Sequence, residues 1–152
     1  MNKSVIGICS GYFNPIHRGH IEYLCKASEC CDKLWVIVNS DRQVKLKGSV
    51  PFMDEEHRLY IVKSLACLMF NGNAMISIDE DKSVCNTIRQ IRSYCPEHPI
   101  IFFNSGDRKG GNLESSERVL CRELNIEYQI LDLPKVASSS DLIKNALANH
   151  NI

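Results

Sequence analysis

The chain has 152 residues, 44% of them hydrophobic, which fits a single domain spanning residues 1–152 with a core of ordinary size. Its 18 Lys and Arg balance 18 Asp and Glu, so the formal net charge is +0. Such a chain has no global field that attracts nucleic acid or an acidic membrane surface, so any phosphate binding must be local.

The first residues, Met1 to Ser4, run directly into a short apolar segment and do not resemble a secretory signal. No run approaches the roughly 20 apolar residues that a membrane span requires. We therefore expect a cytoplasmic protein that binds neither membranes nor nucleic acid.

The 8 cysteines are many for this length. A disulfide framework needs a secretory context, and a cysteine metal site needs a paired spacing such as C-x-x-C, which does not occur here. We expect reduced thiols that behave as small hydrophobes, with Cys9 in a strand and Cys25, Cys67 and Cys121 in helices. The adjacent pair Cys30-Cys31 is interpreted as the end of a helix.

Apolar, β-rich runs alternate along the chain with segments of helical pattern. The predicted strands are residues 5–10, 34–39, 74–78, 100–104 and 127–131. The predicted helices are residues 18–31, 54–68, 82–94, 114–124 and 138–148, with Asp54, Asp81 and Ser138 to Ser140 at helix starts. Five βα units predict an α/β fold, a Rossmann-like three-layer sandwich with a five-stranded parallel sheet. Ligands of such sheets bind beyond the carboxyl ends of the strands.

The loop after the first predicted strand carries the strongest functional signal. Gly11 and Pro15 interrupt it, and His17 and His20 follow three residues apart where a helix begins. A strand, a tight loop and a helix N-terminus form an anion site, and both imidazoles could reach one bound group. Gly19 between them lets a ligand approach the backbone. The alternatives are a simple polar cap and a zinc site, but zinc needs a third ligand that no spacing supplies, so no protein-bound metal is expected.

The box His17-Arg18-Gly19-His20 resembles the H-x-G-H signature of the cytidylyltransferase-like nucleotidyltransferases. Residues 35–41, 51–58 and 137–143 also resemble family segments, in family order, so the resemblance covers nearly the whole chain. It implies the HxGH nucleotidyltransferase fold, with His17 and His20 as catalytic residues. Such enzymes align two reactants and neutralise charge at the α-phosphate. Mg²⁺ would be carried mainly by the nucleoside triphosphate.

The resemblance also implies further site residues. Lys45 and Lys47 follow the second strand in a segment without strong periodicity, and they would hold phosphates of both reactants as catalytic residues. A solvated basic loop is the alternative for this segment. Arg58 is interpreted as a member of an ion pair on a helix surface.

The resemblance also implies that three segments bind the nucleotide. Their residues are Gly11, Tyr12, Phe13, Asn14 and Gly19 in the first loop, Gly106, Asp107 and Arg108 after the fourth strand, and Ser138, Ser139 and Ser140 at the last helix. The second segment would read base and ribose, with a surface turn as the alternative. The third would bind the outer phosphates at a helix N-terminus, with a simple N-cap as the alternative.

The function implied is transfer of CMP from CTP to a small phosphorylated alcohol or sugar, similar to glycerol 3-phosphate, with release of pyrophosphate. The alternative is ATP-dependent adenylyl transfer to a sugar phosphate similar to heptose 1-phosphate, because Asn14 stands where many cytidylyltransferases carry Asp. Adenylation of nicotinamide mononucleotide or phosphopantetheine is a third option, and a nucleotide sensor without turnover is a fourth. A Rossmann dehydrogenase is disfavoured because the first loop lacks G-x-G-x-x-G. Family relatives are often dimers, so a homodimer is a candidate state.

Overall fold

The structure, a computed structural model, describes residues 3–105, 115–133 and 139–150. Within them the strands are β1 (Ile6–Gly11), β2 (Lys33–Val38), β3 (Asn73–Ile76), β4 (Ile100–Ser105) and β5 (Glu127–Leu131). The helices are α1 (Arg18–Ser28), α2 (Asp41–Leu46), α3 (Glu55–Met69), α4 (Cys85–Tyr94), α5 (Ser116–Glu123) and α6 (Ser139–His150). None of the helices described is long and apolar enough to cross a membrane.

The strands form one parallel sheet in the order β3-β2-β1-β4-β5. Ile8 of β1 is paired with Trp35 of β2 on one side and with Phe102 of β4 on the other. The strand order therefore reverses between β1 and β4. Ligands of open parallel sheets bind beyond the carboxyl ends of the strands at such a reversal. The predicted α/β fold is confirmed.

The core consists of two apolar layers, one on each face of the sheet. Leu24 of α1 and Val62 of α3 pack in the first layer. Ile88 of α4 and Leu120 of α5 pack in the second. Helices therefore cover both faces, as the prediction of a three-layer sandwich requires.

One helix was missed and one helix start was predicted wrongly. The segment with Lys45 and Lys47, to which the sequence assigned no helix or strand, contains helix α2, which Ser40 caps by accepting a hydrogen bond from the N–H of Gln43. Helix α4 begins at Cys85 rather than at residue 82, and Asp81 does not cap it. Instead the buried carboxylate of Asp79 accepts hydrogen bonds from the first turn of α4. The predicted cap of α3 by Asp54 is confirmed.

The cysteines are free thiols in several environments. Cys9 and Cys121 are buried as expected, and burial raises the pKa of Cys121 to about 12. Cys25 is half-buried, whereas Cys67 is exposed on α3, so the expectation of a small buried hydrophobe was wrong there. Helix α1 ends at Ser28, just before the Cys30-Cys31 pair.

Candidate active site

The loop between β1 and α1 has a conformation that depends on close packing. Phe13 is 1% exposed and has a φ of 51°. Its ring lies so close to Gly11 that a Cβ there would come within 2.9 Å, and the Asn14–Pro15 peptide bond is cis. The Phe13 ring centroid also lies 5.0 Å from that of His20. Gly11 and Phe13 thus shape the loop that delivers the two histidines to the start of α1.

His17 and His20 form a reciprocal cap at the N-terminus of α1. The Nδ1 atom of His17 accepts a hydrogen bond from the Gly19 N–H at 3.0 Å, and the Nδ1 atom of His20 accepts one from the His17 N–H at 3.1 Å. The two rings stack with centroids 3.9 Å apart. A neutral imidazole that accepts at Nδ1 carries its proton at Nε2. Both rings therefore present an Nε2–H donor on the side away from the backbone.

The electrostatic environment keeps these rings neutral. Burial lowers the pKa of His20 from its ordinary 6.5 to about 4, with further lowering by His17 and Lys47. Burial also lowers the pKa of His17. At neutral pH both histidines are uncharged hydrogen-bond donors rather than cations.

The two lysines of the basic segment occupy different positions. Lys47 caps the C-terminus of α2, and its Nζ lies 4.2 Å from the centroid of the Tyr12 ring. Its charge also reaches His20, whose pKa it lowers. Lys45 is exposed on α2. The structure therefore brings Lys47, but not Lys45, into contact with the first loop.

Arg58 is buried at 1% exposure, so its interpretation as part of a surface ion pair was wrong. Its Nη1 donates to the carbonyl oxygens of Tyr12 and Asn39, at 2.8 and 2.7 Å. Its Nε donates to the carbonyl of Met53, and its Nη2 lies 2.7 Å from the carboxylate of Asp41. One guanidinium thus ties together the ends of β1 and β2 and the starts of α2 and α3. A planar group with five N–H donors is suited to this task.

Asn14 holds the segment that follows α2. Its Nδ2 donates to the Val50 carbonyl at 2.9 Å, and its Oδ1 accepts the Phe52 N–H at 2.8 Å. The side chain is 7% exposed. Both ends of its amide are engaged with the backbone of this segment, and a nucleotide contact by Asn14 stays a prediction.

A cleft of about 580 Å³ opens beyond the carboxyl ends of β1, β2 and β4. It is lined by backbone and side chains of Ser10, Gly11, Tyr12, Asn39, Lys47, Lys82, Ser83, Val84, Phe102, Asn104, Ser105, Ser115, Ser116 and Glu117. Lys47 therefore contacts both the first loop and this cleft. Lys82, Asn104 and Glu117 are lining residues that the sequence did not predict.

Several predicted site residues lie outside the described part of the chain, namely Gly106, Asp107, Arg108 and Ser138. Ser139 and Ser140 are the first residues of α6. Their proposed contacts with nucleotide stay predictions. The backbone N–H of Gly19 donates to the Nδ1 of His17, and a ligand contact at Gly19 stays a prediction.

No cluster of three or more His, Cys, Asp or Glu that could hold a metal ion occurs in residues 3–105, 115–133 and 139–150. Three carboxylates of this region have partners, whereas Glu117 lines the cleft. Asp41 pairs with Arg58, and Glu55 accepts the Asp41 N–H. Both oxygens of Asp79 accept hydrogen bonds from α4. The binding of Mg²⁺ through nucleotide phosphates and water stays a prediction.

Comparison with known proteins identifies the family. Residues 8–144 match the family model described as cytidylyltransferase-like. The FAD synthase of Methanocella arvoryzae is 38% identical over 97 residues, which cover 64% of this chain and 63% of that protein. The bifunctional protein HldE of Helicobacter pylori J99 is 29% identical over 152 residues, which cover 99% of this chain and 29% of HldE. The chain thus matches less than two thirds of the length of either relative.

A solved structure shows the same fold. It belongs to a Vibrio parahaemolyticus protein that is itself proposed to be a nicotinate-nucleotide adenylyltransferase. The TM-score is 0.61 at 18% identity, and the match covers 97% of this chain and 89% of the other. Together with the family match over residues 8–144, these findings show that the chain belongs to the cytidylyltransferase-like family of nucleotidyltransferases.

Proposed function

We propose that this protein transfers CMP from CTP to a small phosphorylated alcohol or sugar, similar to glycerol 3-phosphate, and releases pyrophosphate. The observation that carries the proposal is the pair of Nε2–H donors on His17 and His20, fixed by their Nδ1 bonds to the backbone. Their position at a helix N-terminus beyond the end of β1 suits an α-phosphate. The ammonium of Lys47 lies beside them.

The chemistry requires positioning and charge neutralisation rather than a base. An oxygen of the acceptor phosphate, already ionised at neutral pH, forms a bond to the α-phosphorus. The bond from the α-phosphorus to the bridging oxygen breaks, and pyrophosphate leaves with that electron pair. Donors that are in place before charge develops on the α-phosphate oxygens lower the barrier. Neutral His17 and His20 provide two such donors.

Lys47 has the position to join the two reactants. It lies close enough to His20 to lower the pKa of that ring, and it also lines the cleft beyond β1 and β4. A cation there would offset the repulsion between the nucleotide α-phosphate and the acceptor phosphate. Mg²⁺, held mainly by the triphosphate, would supply further charge neutralisation when bound.

A second candidate nucleotide is ATP, and a specific observation supports it. The FAD synthase relative is 38% identical to this chain, and FAD contains an AMP unit joined to FMN. The adenylyl reaction would use the same histidines, with a sugar phosphate similar to heptose 1-phosphate or FMN as acceptor. The two candidates differ in the base and not in the transfer step.

The test is a matrix of pyrophosphate release with Mg²⁺ present. CTP, ATP, GTP and UTP are each combined with glycerol 3-phosphate, a hexose 1-phosphate and FMN. Release with CTP and glycerol 3-phosphate supports the first candidate, and release with ATP supports the second. Nucleotide binding in a thermal-shift assay without release in any combination would instead support a nucleotide sensor. The proposed homodimer is tested separately by sedimentation equilibrium.

A further inference from the structure

Lys82 lies in the loop between β3 and α4, and it lines the same cleft as Lys47. Among the described residues, no ion pair is formed by either ammonium group. Of the described side chains that line the cleft, only Glu117 carries a negative charge. This described lining therefore has two cations against one anion, although the chain as a whole has a formal net charge of +0.

The backbone around Lys82 is held by the buried side chain of Gln43. The Nε2 of Gln43 donates to the carbonyl oxygens of Asp81 and Ser83, each at 2.8 Å. These are the residues on either side of Lys82. Gln43 itself is 0% exposed and belongs to α2, the helix that Lys47 caps. One buried amide thus fixes the chain that carries Lys82 against the helix that carries Lys47.

Polar and apolar groups contribute in similar measure to the lining of the cleft. Among its apolar members, Val84 and Phe102 are only 4% and 3% exposed. The face of the Tyr12 ring is covered by the Nζ of Lys47. Asn104 donates from Nδ2 to the Tyr128 hydroxyl at 2.7 Å, so its amide oxygen is the group that it offers to a ligand. The two ammonium groups and this amide oxygen are suited to phosphate and hydroxyl groups.

We propose that Lys82 binds the acceptor phosphate together with Lys47. This inference rests on the proposed function, in which the nucleotide occupies the His17 and His20 end of the site. The acceptor then lies on the Lys82 side of the cleft, which also contains the predicted nucleotide contacts Gly11 and Tyr12, and its phosphate reaches the α-phosphate beside Lys47. Lys82 is the second cation that holds this phosphate, and the hydroxyl groups of the acceptor meet the serines and the amide oxygen of Asn104.

The test compares Lys82→Gln, Lys82→Arg and a control, Lys63→Gln, in which an exposed lysine on α3 outside the cleft is changed. The reaction is pyrophosphate release with glycerol 3-phosphate, or with the sugar phosphate that supports the higher rate. We expect Lys82→Gln to raise the acceptor KM by about 10- to 100-fold, the usual effect of losing a charged hydrogen bond. The nucleotide KM and kcat should change less than about twofold, because the lost contact is made equally before and during transfer. Lys82→Arg should restore most of the acceptor affinity, and Lys63→Gln should match wild type.

The outcomes separate this inference from the proposed function. Wild-type turnover together with an unchanged acceptor KM in Lys82→Gln would overturn the role of Lys82 and leave nucleotidyl transfer intact.

If wild type releases no pyrophosphate in any combination, the proposed function fails. The Lys82 site is then tested by phosphate binding alone. The probe is then inorganic phosphate, observed by ³¹P NMR in the presence of saturating CTP. Line broadening by wild type that Lys82→Gln abolishes would support a phosphate site at Lys82. Equal broadening by both proteins, or none by wild type, would overturn it.

Discussion

The Nη2 of Arg58 lies 2.7 Å from the carboxylate of Asp41, and the Nη1 of the same guanidinium donates a hydrogen bond to the carbonyl oxygen of Asn39 at 2.7 Å. The ends of two strands and the starts of two helices therefore share one buried cation. This arrangement fixes the backbone of the loop between β1 and α1 at Tyr12 and the start of α2 at Asp41.

We expect Arg58→Lys to destabilise the fold by about 1–3 kcal/mol, because one ammonium cannot satisfy the same acceptors and leaves buried carbonyls unpaired. Urea unfolding measures the change. Arg18→Lys is the matched control, since Arg18 forms an exposed pair with Glu22 and should change stability by less than about 0.5 kcal/mol. Equal stability of the two variants would contradict the assigned role of Arg58.

A second prediction concerns Asn14. Asn14→Asp removes the Nδ2 donor and places a carboxylate against the Val50 carbonyl. The segment held by Asn14 should loosen, with a loss of about 1–3 kcal/mol in the free energy of unfolding. The ratio of kcat/KM for CTP to that for ATP should not change, because both ends of the amide are engaged with backbone. A reversal of this ratio in Asn14→Asp would show that the residue reads the base.

The pKa of His20 predicts how stability depends on pH. Its value of about 4 in the folded protein lies below the ordinary 6.5, so the unfolded chain binds more protons between these values. The contribution of His20 to stability is complete above pH 6.5 and is lost as the pH falls towards 4, by up to about 3 kcal/mol.

His20→Asn should lack this contribution while keeping an oxygen that accepts the His17 N–H. Urea unfolding gives the free energy of unfolding of wild type and of His20→Asn at pH 7.5 and at pH 4.5. The change with pH is then compared between the two proteins, and the contribution of carboxyl groups, which is common to both, cancels. Wild type should lose more stability than His20→Asn between the two conditions. The same loss in both proteins would mean that His20 is not the buried, neutral ring described above.

Lys45 and Lys47 should differ in their kinetic effects. Both side chains are exposed, but of the two only Lys47 is found beside Tyr12, His20 and the cleft in the described part of the chain. Lys47→Ala should therefore lower kcat by at least about 10-fold, since its charge opposes repulsion that grows as the reactants approach. Lys45→Ala should have the smaller effect on kcat. Steady-state kinetics with nucleotide and acceptor varied in turn make the comparison, and a larger loss of kcat in Lys45→Ala would reverse the assignment.

Local patterns were sufficient to predict most of the fold. Buried parallel strands are continuous apolar runs, so all five strands were located to within a few residues. Helix α2 was missed because six residues make less than two turns and show little periodicity. A signal was present, however, since Ser40 and Gln43 have the spacing of a capping box.

The candidate site was predicted only where its geometry is local. His17 and His20 are one turn apart, so their neighbourhood follows from the helix itself. Arg58 was interpreted as a surface residue because a charged side chain is buried only where partners surround it, and the local sequence does not show those partners. Its acceptors on Tyr12 and Asn39 are 46 and 19 residues away along the chain. Lys82 was missed for the same reason, since only the folded sheet brings it to the cleft of Lys47.

The most direct test of the account is pyrophosphate release by His17→Asn. The shorter side chain can still accept the Gly19 N–H, as Nδ1 does in wild type, but it lacks the Nε2–H donor. Because Asn is a good N-cap, the free energy of unfolding should stay within about 1 kcal/mol of wild type. Turnover should nevertheless fall by about 10²- to 10³-fold, the effect of losing one donor to developing charge. Near wild-type pyrophosphate release from a folded His17→Asn protein would contradict the central claim that this imidazole acts on the α-phosphate.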